Sequence, residues 1–80
     1  MHIDKEKIDQ ATLALLFLTL HDADRAWKGH DWDTLNRLHE KGFIDSPVNT
    51  AKSVSFTPEG LAEARRLFEE MFTLPTKAGA

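Results

Sequence analysis

The stretch from residue 31 to 60, DWDTLNRLHEKGFIDSPVNTAKSVSFTPEG, restricts the fold more than any other part of the chain. Asp31 stands where a helix N-cap belongs, its carboxylate able to accept from the free amides of the first turn. Asp33 adds negative charge at the positive end of the helix dipole. Trp32, Leu35 and Leu38 then recur at helical spacing. Gly42 is the expected left-handed residue just past the helix end, because glycine meets no Cβ penalty there. That places Phe43 against Leu38, the apolar contact of a Schellman ending. Beyond it, Phe43-Ile44 reads as extended and Ser46-Pro47 as a turn. Residues 52–56 (KSVSF) alternate polar and apolar, the pattern of a strand with one buried face. Thr57-Pro58-Glu59 opens another helix, with a capping hydroxyl, proline at the first helical position and an acid in the first turn.

Upstream, Asp4 can cap a helix running to about residue 20. Ile8, Ala11, Leu15 and Leu18 form one apolar stripe on it. Leu13, Phe17 and Leu20 form a second, with Leu16 between them. A surface helix needs one such stripe, so this helix asks to be covered on two sides. One cover is the rest of the fold. The other is read as a second copy of the chain, with Leu13, Leu16, Phe17 and Leu20 at the interface; complete wrapping by the chain itself is the alternative. Residues 21–29 (HDADRAWKG) read as a short helix capped by Asp22, with Ala23, Ala26 and Trp27 turned inward and Gly29 ending it. Trp27 and Trp32 flank the following turn and read as anchors of a small core, placed to pack on one another with Arg25 or Lys28 over a ring. In the last helix Leu61, Ala64, Phe68 and Met71 share a face.

The expected architecture is therefore mainly α with a small β-hairpin: helix 4–20, short helix 22–28, helix 31–41, hairpin 43–56 and helix 58–72. Residues 1–75 read as a single domain and 76–80 as a disordered tail. This order resembles the winged helix-turn-helix. LNRLHEKGFI at 35–44 is similar to the end of the recognition helix of MarR-type regulators, and SVSFTPEGL at 53–61 to their second wing strand and the helix that follows. The whole chain, including the leucine-rich first helix and residues 25–29 (RAWKG), also resembles a family of small bacterial proteins catalogued as a domain of unknown function. The regulator resemblance implies DNA contact through helix 31–41 and the wing, with Arg25, Lys28, Asn36, Arg37, Lys41 and Lys52 as the contacting residues. Against this, the chain carries a net charge of −3, and residues 22–57 hold six acids against five bases. DNA affinity rests largely on neutralising phosphates, so a near-neutral surface is a poor start.

Eighty residues bury only roughly 60% of their unfolded surface, and association is a common remedy for so small a core. There is no cysteine, which removes disulfides, thiolate zinc sites and thiol nucleophiles and fits a reducing cytoplasm. The longest apolar run, Leu13 to Leu18, is too short to span a membrane, and no secretory signal is evident. His21, Asp22, Asp24, His30, Asp31 and Asp33 are metal-ligand types, but their spacing fits no metal motif and they read as caps and surface residues. His39-Glu40 does not begin a zinc-protease motif, since Phe43 stands where the second histidine belongs. Neither a phosphate loop nor a nucleophile elbow is present, so no enzyme activity, metal or cofactor is expected. The leading expectation is a homodimeric, cytoplasmic protein-interaction module. A DNA-binding regulator or accessory protein is the alternative.

Overall fold

Asp4, Asp31 and Thr57 each open a helix in the computed structural model, which describes residues 1–75. Their side chains accept from Lys7 N (3.1 Å), Thr34 N (3.0 Å) and Gly60 N (3.0 Å), so all three expected caps are in place. The elements run α1 (Lys5–Leu18), β1 (Arg25–Trp27), α2 (Trp32–Glu40), β2 (Ser53–Ser55) and α3 (Pro58–Phe72). The fold is mainly helical with a small antiparallel sheet and is compatible with a winged-helix-like arrangement. The 76–80 tail lies outside the described residues.

The end of α2 follows the sequence closely. Gly42 has φ +79°, and its N–H donates to His39 O while the Phe43 N–H reaches back to Leu38 O, both at 3.0 Å. These two bonds are the Schellman pair. The Thr57 hydroxyl donates to Gly42 O, tying the start of α3 to the end of α2. Gly60, in the first turn of α3, lies against the same turn: a Cβ there would come within 1.6 Å of Phe43 O. Glycine at position 60 is thus a packing requirement that lets α3 approach the α2 exit.

The short helix expected at 22–28 is not formed. Asp22 and Ala23 have φ of 48° and 71°, closing a tight turn in which the amides and carbonyls of His21 and Arg25 exchange hydrogen bonds. Arg25–Trp27 is then a strand pairing antiparallel with Ser53–Ser55, Ala26 opposite Val54. A helix of so few residues is marginal by itself, whereas the extended form gains a partner across the sheet. Arg25 strengthens that choice by donating to both β2 serine hydroxyls, Ser53 and Ser55, at 2.8 Å.

The expected 43–56 hairpin is reduced in the same way. Its first limb is an isolated bridge, Ile44 to Phe56, supported by Asp45 N to Ser55 O at 2.9 Å. β2 therefore lies between β1 on one side and residues 43–45 on the other. The 46–51 loop is held by the Lys28 ammonium, which donates to Pro47 O, Asn49 O and Asn49 Oδ1. The core beneath joins Leu13, Ala14 and Leu16 of α1 to Ala26, Leu35, Leu38, Ile44, Val54, Phe56, Ala64 and Leu67. α1 packs chiefly on α3, where Phe17 meets Phe68 with ring centroids 5.4 Å apart.

Candidate interaction surface

α1 is the central element of the core, and its two apolar stripes meet different surroundings. Leu13 and Leu16 are 1% and 0% exposed inside the single chain. Phe17 is partly buried against Phe68. The interface expected at Leu13, Leu16 and Phe17 is thereby corrected: the intramolecular core already covers them, and of the four residues assigned to it only Leu20 keeps substantial outward surface. The other stripe faces out. Ile8 and Leu15 are each 38% exposed and Leu18 63%, with Ala11 half-buried between them. No helix among the described residues is long and apolar enough to cross a membrane.

What turns the helix this way is a buried acid. Asp9 lies on the inward side, 2% exposed. It is held by Arg37, whose Nε and Nη2 reach Asp9 Oδ1 at 2.8 and 2.7 Å, and by Lys41 Nζ at 2.8 Å from Oδ2. Lys41 also bonds Glu6. Burial pushes the Asp9 carboxyl up, but hydrogen bonds and charge from Arg37 and Lys41 outweigh this and hold it below the usual carboxylate range. With Asp9 clamped to α2, the 13/16 side of α1 is directed inward and the 8/15/18 side outward.

The same clamp changes the standing of the basic residues. Arg37 and Lys41, expected to contact DNA, are brought together on Asp9. Arg37 also donates to the Thr34 hydroxyl, and Thr34 in turn donates to Asp31. Those Thr34 bonds, from hydroxyl and amide, keep the Asp31 carboxyl below its ordinary range. Arg25 braces β2 and Lys28 braces the loop, as described above. Four of the five candidate cations thus point to acceptors on this chain. Asn36 is half-buried on α2, and Lys52 is exposed beside β1, its carbonyl accepting from Lys28 N.

Both tryptophans differ from the expected core anchors. Trp27 and Trp32 are each about half exposed, and the ring partner of Trp27 is His21, stacked at 4.2 Å. Trp27 alternates outward from Ala26 because it belongs to a strand, and its N–H donates to the Thr19 hydroxyl at the end of α1. An open groove of about 360 Å³ lies between the start of α1 and the start of α2, with Ile3 and Ile8 as its apolar lining and Lys5, Asp31 and Arg37 among its charged residues. Sequence reasoning missed this groove and reversed the roles of the stripes. The available signal was Asp9, one helical turn from Leu13 and in line with Leu16, with Arg37 and Lys41 spaced to meet it from α2.

A three-helix frame with a minimal sheet, an ion-paired core helix and an apolar outer stripe defines this class of chain. The family model for the domain of unknown function DUF6429 matches residues 4–74, and the chain belongs to that family. The match begins at the Asp4 cap and ends just beyond α3. Uncharacterized protein y4hR of Sinorhizobium fredii (strain NBRC 101917 / NGR234) is 56% identical over 73 residues, covering 91% of this chain and 99% of that protein. No solved structure matches.

Proposed function

We propose that the chain is a protein-interaction module that works as a homodimer through the outer face of α1. The observation that carries this reading is the Ile8–Ala11–Leu15–Leu18 stripe, which the chain's own elements leave open on the helix most central to the core. Its spacing of i, i+3, i+7 and i+10 is that of the seam by which one helix packs on another. The DNA-binding alternative has the thinner basis, because Arg25, Lys28, Arg37 and Lys41 already serve internal acceptors.

At 1.5 Å per residue α1 is about 21 Å long, so a pair of such helices buries less than the roughly 800 Å² per partner of a standard interface. The expected dissociation constant is accordingly micromolar rather than nanomolar. Sedimentation velocity on the unaltered chain, from about 1 μM to about 1 mM, tests the reading. A sedimentation coefficient that climbs with concentration towards that of a dimer is the expected result. A constant monomer value across the range overturns it.

A further inference from the structure

Resting on the dimer reading above, the geometry points to a specific mode of self-association. We propose that two copies pair α1 against α1 in antiparallel, about a two-fold axis between Ala11 and Leu15. The stripe is symmetric about that point. Antiparallel pairing sets Ile8 of one copy against Leu18 of the other, and Ala11 against Leu15. A small residue thereby faces a large one at the centre, which lets the helices approach closely while the volumes stay complementary.

The unpaired charges favour one direction. Lys5 and Lys7 sit at the N-terminal end of the helix, exposed and without an ion pair among the described residues, while the acids that alternate with them are engaged, Asp4 as the helix cap and Glu6 with Lys41. Asp22 and Asp24 lie just beyond its C-terminal end, also exposed and without an ion pair there. Antiparallel copies bring the lysine end of each helix to the aspartate end of the other, at both ends of the seam. Parallel copies set lysine against lysine and aspartate against aspartate. Antiparallel alignment also opposes the two helix dipoles.

The groove beside Ile8 supplies the socket. It is continuous with the stripe, since Ile8 lines both, and Ile3 forms its other apolar wall. Leu18, the most exposed apolar side chain within α1 at 63%, is the residue that antiparallel register delivers to it. Each copy thus inserts one leucine into the other.

The absence of cysteine makes cross-linking a direct test. Chains carrying Ile8→Cys and Leu18→Cys are prepared separately, mixed and mildly oxidised. A covalent dimer from the mixture, and little from either chain alone, is the expected result. Efficient cross-linking of Ile8→Cys with itself means parallel pairing and overturns the proposal. No cross-link in the mixture, while sedimentation still reports a dimer, overturns it too but leaves the dimer reading standing. A monomer by sedimentation removes both. A second arm does not depend on the seam residues. Lys5→Glu with Lys7→Glu is expected to weaken the dimer about tenfold, and adding Asp22→Lys with Asp24→Lys in the same chain is expected to restore it. Loss without restoration contradicts the antiparallel arrangement.

Discussion

Asp9, Gly60 and Ala23 each hold a position that an ordinary substitution would expose. Asp9→Asn removes the charge that Arg37 and Lys41 share, leaving two partly buried cations facing a neutral amide. The expected loss at neutral pH is about 2 kcal/mol. Because the folded carboxyl titrates below its ordinary value of 3.8, the native state binds fewer protons than the unfolded chain as pH falls. The stabilisation is fully present above about pH 4 and is lost as pH drops through the lowered folded value. Denaturation of wild type and variant across pH should therefore give curves that converge on the acid side. Parallel curves would mean that Asp9 titrates alike in the folded and unfolded chain, so that its ion pairs do not stabilise the fold. Gly60→Ala drives a methyl group into the Phe43 carbonyl. It should cost about 3 kcal/mol and lower Tm by more than about 10 °C. Ala23 has the opposite sign. At φ 71° it carries the left-handed cost of an L-residue, roughly 1–2 kcal/mol, and glycine relieves it less its own entropy cost. Ala23→Gly should raise stability by about 0.5 kcal/mol in thermal unfolding, and a destabilised variant would place Ala23 outside the left-handed region.

At the scale of elements, the sequence was clearest where a signal is local and wrong where the deciding partner is distant. The caps at Asp4, Asp31 and Thr57, the Gly42 exit and the 58–72 helix are all encoded within a turn or so of themselves, and the structure keeps them. The β1 strand is not local. Arg-Ala-Trp becomes extended because Ser53, Val54 and Ser55, nearly thirty residues on, offer a strand edge and two hydroxyls. The DADRAWK segment read in isolation satisfies helix rules, with an acid to cap it and a glycine to stop it. α1 shows a related limit. Its periodicity displayed both stripes, but which one faces inward depends on Asp9 finding Arg37 and Lys41 on α2. A buried acid made the inward face look less apolar than it is. Proton NMR tests the strand assignment: Hα–Hα contacts between Arg25 and Ser55 and between Trp27 and Ser53 are expected. A ladder of i,i+3 contacts across residues 22–28 would restore the helix.

For the molecule as a whole, these elements leave a small core at its limit and an unusually apolar outer face on its most central helix. Arg25, Lys28, Arg37 and Lys41 are occupied with serine hydroxyls, backbone carbonyls or Asp9, so these bases serve the fold before any partner. The apolar side chains that remain outward include Ile8, Leu15 and Leu18 on α1, with Met71 and Phe72 at the end of α3. The central claim is that α1 has two apolar faces with separate tasks, one completing the core and one meeting a second copy. Light scattering combined with thermal unfolding of Leu15→Asp and Leu13→Asp tests it most directly. The claim predicts that Leu15→Asp is monomeric with a melting temperature close to that of the dissociated wild type, while Leu13→Asp fails to fold. A Leu15→Asp chain that retains the dimer mass, or that unfolds as Leu13→Asp does, would contradict it.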